Sequence, residues 1–477
     1  MIFNSPTFLI FLALTFLIYW RLSKKGQNVF LLFCSYVFYG WWDWRFLSLI
    51  FISSLADYII GQKISSASQL RHKKHWLWLS IGINLSILGL FKYFNFFASS
   101  LQDALIFFGV PEVSLGTLYI ILPVGISFYT FQTMSYTIEV YQGKIQPTRN
   151  IVEFFTFVSF FPQLVAGPIE RASDLLVQFR CARTFVLSDA YDGMRQMLWG
   201  LFKKIVIADN LAEIVQYVYG NAAIASGPQL FAATFFFAFQ IYCDFSGYSD
   251  IAIGTAKLFG IRLSQNFRYP YFARSIPEFW RRWHITLSSW FRDYVFIPLG
   301  GSRVQSKWLY FRNIFITFVV SGLWHGANWT FVAWGAMHGL CFIPTILSAR
   351  RQEKKAATHE EAQWHDAHNI ILTFLLVLVG WVFFRSQSLT ESLHILQTIF
   401  QNISFANAAI FFSPVFVKKT AIVAGLLVVE WRQRRQPHPL HLENIPRWGR
   451  WLAYYILLAI ILFFGNFSYH PFIYFQF

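Results

Sequence analysis

A single histidine stands in an apolar stretch of the sequence, among residues that leave room around it. His325 lies in SGLWHGANWT (321–330), where Gly322 and Gly326 have no side chains and Trp324 precedes it. Ionisable residues in apolar segments are rare and usually mark a pathway or a site. An imidazole can take a proton from a hydroxyl group while that hydroxyl attacks an activated carbonyl. We therefore predict that His325 is a catalytic base acting on a thioester, with no metal and no permanently bound cofactor.

The alternative for a histidine in such a segment is packing, because intramembrane histidines also hydrogen-bond to neighbouring helices. Asn328 follows His325 by about one helical turn and is expected to share its face, which favours a functional site. His338 lies in GAMHG (335–339), in the same long apolar run. For His338 the two interpretations are equally good.

Two acidic residues interrupt another apolar stretch, YCDFSGYSD (242–250). Asp244 and Asp250 need charged partners or water there, because an isolated charge in lipid is costly. Arg281 and Arg282 are the candidate partners, and an ion pair that only supports the fold is the alternative. We predict a wet passage beside His325, lined by Asp244, Tyr248, Arg281, Trp324 and Asn328.

The stretch RYPYFARSIPEFWRRWHITLSSWFRDYVFIPLGG (268–301) mixes arginine and tryptophan too densely for a helix that faces lipid. Ser275 and Glu278 have the spacing of a capping box, and Pro277 is tolerated in a first helical turn. The spacing predicts a helix that starts at Ser275, with one apolar and one basic side. Such a helix suits the membrane interface or the wall of a wet cavity, and it contains His284.

The composition explains why these elements lie in a membrane. Of 477 residues, 56% are hydrophobic, 20% aromatic and only 13% charged, whereas a soluble protein has about 25% charged residues. The net charge of +16 does not indicate nucleic-acid binding, because the basic residues lie in short loops between apolar runs, as expected of cytoplasmic loops. The composition predicts a multi-pass membrane protein in contact with the lipid bilayer.

Apolar segments long enough for a helix recur along the whole chain, without an internal repeat or a soluble domain. The run at 308–349 is long enough for two spans, and strongly polar loops lie at 350–368 and 431–450. We predict an all-α polytopic protein with one membrane-embedded domain over residues 1–477. The segments are near 5–20, 28–42, 46–62, 76–98, 117–138, 151–166, 195–220, 229–260, 308–349, 369–385, 393–412, 419–431 and 451–470.

Two histidine motifs together resemble the membrane-bound O-acyltransferase (MBOAT) family. They are WRRWHITLSSWFRDYVFIPLGG (280–301) and SGLWHGANWTFVAWGAMHG (321–339), and AGPIER (166–171) and YCDFSGYSDIAIG (242–254) are also similar. Within the family, the sequence is most similar to the bacterial branch that O-acetylates alginate and peptidoglycan. The resemblance extends over essentially the whole chain.

The resemblance implies roughly 11–13 membrane-embedded helices, with interfacial and re-entrant helices, around a central passage. It implies that His325 is the catalytic histidine and His284 the second, cytoplasmic-side histidine. The implied reaction moves an acetyl group from cytoplasmic acetyl-CoA across the bacterial inner membrane to an extracytoplasmic polysaccharide such as alginate or another exopolysaccharide. A periplasmic or membrane-anchored acetyltransferase is the implied partner.

The segment FIYFQF (472–477) resembles the tyrosine-bearing motif of a small companion protein in the related D-alanylation system. This similarity suggests that Tyr474 enters the passage and carries the acyl group briefly as an ester. An aromatic anchor at the membrane interface is an equally good interpretation.

Other functions remain compatible with the sequence. One is O-acetylation of peptidoglycan or another wall polymer. A second is a transporter of an acyl or glycan substrate, which would predict internal repeats and gives the two histidine motifs no role. A third is a scaffold for a partner enzyme, which predicts that His325→Ala leaves acetylation intact.

Overall fold

The computed structural model describes residues 1–110, 116–347, 362–401, 410–468 and 470–475. The regular elements in these ranges are helices, which confirms the predicted all-α class. In this described part, six helical segments are long and apolar enough to span a membrane: Lys24–Ser66, Leu70–Phe107, Gly227–Leu258, Trp329–Leu347, Trp364–Arg385 and Arg447–Phe464. Much of the predicted loop at 350–368 and part of the segment at 393–412 lie outside the described residues. The central passage stays a prediction.

The α-helices of the described ranges are α1 (Pro6–Tyr19), α2 (Lys24–Asp43), α3 (Leu47–Ser66), α4 (Leu70–Leu88), α5 (Phe94–Phe107), α6 (Ile126–Tyr141), α7 (Ile151–Ser159), α8 (Phe161–Leu164), α9 (Ala172–Arg180), α10 (Leu187–Leu201), α11 (Asp209–Gly220), α12 (Gly227–Leu258), α13 (Ile276–Arg282), α14 (Ile285–Phe291), α15 (Lys307–His325), α16 (Trp329–Leu340), α17 (Ile343–Leu347), α18 (Ala367–Arg385), α19 (Leu389–Gln401), α20 (Pro414–Gln433) and α21 (Arg447–Phe464). Between them lie π-helical turns at Gly89–Tyr93, Phe202–Ala208 and Arg292–Phe296 and 3-10 helices at Trp44–Phe46, Pro270–Phe272, Trp364–Asp366 and Ile473–Phe475.

The backbone packs as two compact units, of which the first comprises residues 1–194 and 252–264. Its helices share buried polar contacts. Asp57 in α3 accepts hydrogen bonds from Ser80 Oγ at 2.6 Å and from Asn84 Nδ2 at 2.8 Å, both in α4. Interhelical bonds of this kind hold helices together where lipid surrounds them. The expectation of a single domain over 1–477 stays a prediction.

The second unit comprises residues 195–251 and 265–477 and contains both motif histidines. In the run at 308–349, α16 and α17 form the candidate span Trp329–Leu347, and that α15 is a second span stays a prediction. The helices α15 and α16 pack against each other. They approach closely, because a Cβ atom at Gly322 would collide with the carbonyl oxygen of Phe331. Gly322 therefore allows contact between two backbones, and Gly326 makes room for the ring of Phe331.

The arginine- and tryptophan-rich stretch begins as predicted but does not form one continuous helix. The Ser275 side chain caps α13 by accepting a hydrogen bond from Glu278 N at 3.3 Å. The Glu278 carboxylate bonds to Arg274 N at 2.9 Å and does not close a capping box on Ser275. The helix ends at Arg282 because His284 has a left-handed backbone, with φ 43° and ψ 54°. The helix α14 then begins in a new direction.

Candidate active site

His325 is the last residue of α15 and is 3% exposed. The backbone turns away from the helix at Gly326, which is extended with φ −158°. Aromatic rings surround the imidazole: the Trp334 ring centroid lies 5.0 Å away and that of Phe384 5.5 Å away. The helix end thus places one imidazole in a buried aromatic enclosure.

His284 is completely buried, and its Nδ1 lies 3.1 Å from the side-chain oxygen of Asn266. The same oxygen accepts a hydrogen bond from Thr286 Oγ1 at 2.9 Å. Because this atom acts as an acceptor, His284 Nδ1 carries the proton and Nε2 keeps its lone pair. Burial lowers the pKa of His284 to about 3, so the imidazole is neutral at physiological pH.

The burial of His284 predicts that the folded protein loses stability in acid. His284 lies outside the six segments able to span a membrane. The folded-state pKa is about 3, whereas an unfolded histidine has a pKa of about 6.5. As the pH falls below about 6.5, the unfolded chain gains a proton that the folded chain does not bind. At pH 5.5 this lowers the free energy of unfolding by about 1 kcal/mol.

The measurement compares thermal unfolding of the purified protein at pH 7.5 and pH 5.5 with that of His284→Asn. Asparagine tolerates the left-handed backbone but does not titrate. We expect the variant to lose less stability on acidification than the original protein. An equal loss in both would show that His284 is not the group responsible.

The two histidines face a common third residue, Tyr474, in the second unit. Their ring centroids are 6.4 Å apart. The Tyr474 ring lies 5.7 Å from that of His325 and 6.4 Å from that of His284. The Phe245 ring packs 4.5 Å from the Tyr474 ring and 4.7 Å from that of His284. The structure therefore brings together the three residues with predicted chemical roles.

The partners predicted for the acidic residues of α12 are wrong. Asp244 Oδ1 pairs with Lys204 Nζ at 2.7 Å, and Asp250 pairs with Lys203 Nζ at 2.5 Å. Arg282 instead pairs with Glu278 of its own helix at 2.8 Å. The two adjacent lysines, inside an apolar run of the sequence, were the signal for these partners.

Other residues predicted to line a passage occupy different positions around the site. Tyr248 is buried, with its ring 5.0 Å from that of Phe472. The ring of Trp324 lies 6.1 Å from that of His284, whereas Arg281 is exposed. Their roles in a passage stay predictions.

Asn328 does not share a helical face with His325, contrary to our expectation, because α15 ends at His325. Asn328 is the N-cap of α16, and its side-chain oxygen accepts a hydrogen bond from Thr330 N at 3.0 Å. Its amide donates to the carbonyl of Gln387 at 2.9 Å. These bonds fix the start of the helix that follows the catalytic candidate. Whether Asn328 also lines a passage stays a prediction.

His338 lies in a tightly packed environment on α16. Its Nδ1 accepts a hydrogen bond from Trp280 Nε1 at 3.4 Å, and its ring lies 5.0 Å from that of Trp334. A Cβ atom at Gly380 would approach His338 Nε2 to 2.9 Å. These contacts favour the packing interpretation of His338.

A cavity of about 640 Å³ opens in the second unit next to these elements. Its wall includes Ser321, one helical turn before His325, and Ile285, which follows His284. Arginine side chains dominate the polar lining, and with one glutamate they leave a formal excess of four positive charges: Arg268, Arg274, Arg281, Arg282 and Arg292, with Glu278. Such a lining suits phosphate groups.

The sequence matches the membrane-bound O-acyltransferase family, MBOAT, over residues 41–389. The chain belongs to this family. The MBOAT chain is therefore an acyltransferase and a multi-pass membrane protein, as the sequence predicted. Both motif histidines and the arginine-lined cavity lie within the matched residues, whereas Tyr474 lies beyond them.

Two relatives show the similarity over most of the MBOAT chain. A probable alginate O-acetylase AlgI from Azotobacter vinelandii is 42% identical over 82% of this chain and 76% of its own length. A peptidoglycan O-acetyltransferase from Helicobacter pylori is 36% identical over 83% of this chain and 79% of its own length.

Sequence reasoning missed two residues next to the predicted ones. Asn266 bonds to His284 although 18 positions separate them, and Lys204 reaches Asp244 across 40 positions. No local pattern identifies Asn266. The second unit of the MBOAT chain thus combines two buried imidazoles, a nearby phenol and a basic cavity.

Proposed function

We propose that this acyltransferase transfers an acetyl group from cytoplasmic acetyl-CoA to an extracytoplasmic polysaccharide at the bacterial inner membrane. The observation that carries the proposal is the placement of Tyr474 within 5.7 Å of His325 and 6.4 Å of His284, measured between ring centroids. The similarity to an alginate O-acetylase and a peptidoglycan O-acetyltransferase supports an acetyl group and a polysaccharide acceptor.

In the proposed reaction, His325 acts as the general base for an attacking hydroxyl. If Tyr474 is the carrier, its oxygen attacks the thioester carbonyl while the His325 imidazole accepts the phenolic proton. The carbon–sulfur bond breaks, the thiolate leaves and takes that proton, and an acetyl-tyrosine ester remains. The neutral His284 ring lies 6.4 Å from the Tyr474 ring between centroids and helps to orient the reacting groups.

In the second half of the reaction, an acceptor hydroxyl attacks the acetyl-tyrosine ester. His325 accepts the acceptor proton and returns it to the tyrosine oxygen as the ester bond breaks. The tyrosine is regenerated, and the acetyl group leaves on the acceptor. The acceptor belongs to a polysaccharide or to a periplasmic or membrane-anchored acetyltransferase that acts on one.

The arginine-lined cavity supports acetyl-CoA as the donor, because its nucleotide carries several phosphate charges. Trp280, in the cavity wall, packs 5.5 Å from Trp334, and Trp334 packs 5.0 Å from His325. In the proposed binding mode, the phosphates lie among the arginines and the thioester extends toward the histidines.

Arg281→Ala tests the cavity as the donor site. The Arg281 side chain is exposed and lines the cavity, so solvent weakens its contact with a phosphate to about 1 kcal/mol. Loss of this contact predicts a roughly fivefold higher KM for acetyl-CoA. We expect an unchanged kcat, because Arg281 lies away from the reacting groups. Steady-state kinetics with acetyl-CoA measure both constants.

A short acetyl thioester without a nucleotide provides the control for Arg281→Ala. It lacks the phosphates, so its KM should be the same for the variant and the original protein. A KM that rises equally for both donors would mean that Arg281 does not recognise phosphate.

The alternatives differ in what happens to the acetyl group. A peptidoglycan or other wall-polymer O-acetyltransferase has the same chemistry with another acceptor. A transporter or a scaffold would make no new acetyl bond in this chain. If the Tyr474 ring is only an interfacial anchor, the acetyl group passes directly to the acceptor, with His325 as the base.

The experiment follows acetyl transfer from acetyl-CoA radiolabelled in the acetyl group, in membranes with and without the chain. Purified alginate and peptidoglycan are supplied separately as acceptors. We expect ester-linked label on polysaccharide only when the chain is present, and the labelled polymer identifies the acceptor. Free CoA production without any labelled ester would contradict the proposal.

A further inference from the structure

The described residues after α21, 465–468 and 470–475, form a segment that we call the strap, which ends in the 3-10 helix Ile473–Phe475. It is held along its first part by backbone and side-chain contacts within the second unit. Asn466 N donates to the carbonyl oxygen of Ile205 at 3.0 Å, and its side-chain amide donates to Glu213 at 2.8 Å. Asn210 donates to the carbonyl of Phe464 at 2.9 Å, where the strap begins. The strap is therefore attached at its entry to α11 and the π-helical turn before it.

The inner part of the strap carries Tyr474 and is held by one carboxylate. Ile473 N donates to Asp244 Oδ2 at 2.7 Å, and both Phe472 and Ile473 are 3% exposed. The carbonyl oxygen of His470 accepts a longer contact of 3.5 Å from Lys204 Nζ. The residue next to Tyr474 is thus fixed by a charge-assisted hydrogen bond in a buried place.

Lys204 holds that carboxylate in position. Its ammonium lies 2.7 Å from Asp244 Oδ1 and 2.8 Å from Asp209 Oδ1, and the residue is only 7% exposed. Without the lysine, two carboxylates would remain buried near each other with no cation between them. That arrangement is strongly unfavourable, so Asp244 would take up a proton or move, and the bond to Ile473 N would weaken.

Two adjacent lysines in the π-helical turn Phe202–Ala208 pair with different acids. Lys204 pairs with Asp244, whereas Lys203 pairs with Asp250, six residues further along α12. Lys203 is 3% exposed and also donates to Ser246 Oγ at 2.9 Å. It therefore makes a comparable buried ion pair, with partners other than the Asp244 carboxylate that holds Ile473. Turns of this kind are frequent at functional sites.

We infer that Lys204 is the positioning residue that seats the strap, and with it Tyr474, beside His325. The catalytic consequence of this seating rests on the proposed transfer through Tyr474. Lys204 acts through Asp244 and the backbone of Ile473, and it takes no part in bond making or breaking.

The test compares Lys204→Met with Lys203→Met in protein reconstituted in lipid nanodiscs. Each substitution removes a buried lysine charge paired with α12, so general destabilisation affects both. We expect amide hydrogen exchange of the peptide covering 470–475 to accelerate about tenfold in Lys204→Met and to change less than about twofold in Lys203→Met. Lys204→Arg, which keeps the charge, should restore most of the protection. Equal protection in Lys204→Met and the original protein would overturn the inference.

If Lys204→Met does not accumulate as folded protein, the double variant Lys204→Met/Asp209→Asn replaces it. This pair of changes keeps the net charge of the buried cluster, because one positive and one negative charge are removed together. The same acceleration of exchange is expected. A protected strap in this variant would equally contradict the inference.

Kinetics on the same samples separate this inference from the proposed function. Because the donor site stays intact, Lys204→Met should leave the KM for acetyl-CoA unchanged. We expect kcat to fall by about tenfold or more, because misplacing a reacting group by about 1 Å can lower the rate up to ~10²-fold. A released strap with unchanged kcat would support the seating role of Lys204 and refute the tyrosine carrier. A protected strap refutes the seating role whatever the kcat.

Discussion

His325→Ala is expected to reduce acetyl transfer by on the order of 10²–10⁴-fold, the usual contribution of a positioned general base. The imidazole is 3% exposed and lies 5.7 Å from the Tyr474 ring between centroids. The His284 ring lies 6.4 Å from the same tyrosine ring. The measurement is the rate at which radiolabelled acetyl leaves acetyl-CoA and appears on polysaccharide, per amount of folded protein.

His338→Ala is the matched control for this loss. His338 is 1% exposed, and its ring packs 5.0 Å from that of Trp334, the same separation as between Trp334 and His325. Its removal leaves a similar cavity in the same helix pair without removing the proposed base. We expect activity within about threefold of the original, after correction for folded protein. Equal activity of His325→Ala and the original protein would mean that His325 only packs, and it would favour a transporter or scaffold.

Tyr474→Phe is expected to abolish transfer if the phenol carries the acetyl group. The substitution removes one oxygen and keeps the ring that packs 4.5 Å from Phe245, so the strap should remain seated. The loss would exceed that expected of a single hydrogen bond, because the covalent intermediate itself disappears. Activity and the amount of protein-bound acetyl label are measured together.

The labelled intermediate gives this prediction a second readout. Without an acceptor, the original protein should retain about one acetyl group in a base-labile ester on the peptide that contains Tyr474, and Tyr474→Phe should retain none. Phe472→Leu is a suitable control, since it alters the same strap without removing a hydroxyl. Full transfer by Tyr474→Phe would mean that the ring is an aromatic anchor and that His325 is the base for direct transfer to the acceptor.

The sequence predicted the class of fold and the two histidines because their signals are local. Apolar runs mark helices directly, and the motif around each histidine is contiguous in the chain. The run at 308–349 was long enough for two spans, and its described part forms three helices, α15, α16 and α17. The pairing of the histidines required the resemblance to a family, since 41 positions separate His284 from His325.

What the sequence did not predict depends on backbone geometry at single residues. The left-handed conformation of His284 ends α13 early, and the end of α15 at His325 turns Asn328 into a helix cap. The partners of Asp244 and Asp250, Lys204 and Lys203, lie in the π-helical turn Phe202–Ala208, 40 and 47 positions earlier in the chain. We predicted Arg281 and Arg282 as the partners because of their charge. A sequence alone does not give the distances between side chains.

The strap joins the proposed carrier and the proposed base in one polypeptide. An acyl carrier on a separate protein must encounter its enzyme, so its loading slows when either protein is dilute. Tyr474 is tethered beside His325 and is present at a fixed effective concentration. Loading of Tyr474 from bound acetyl-CoA would then be a first-order event in each molecule, independent of how sparsely the protein populates the membrane. Only the donor and the acceptor would have to diffuse to the site.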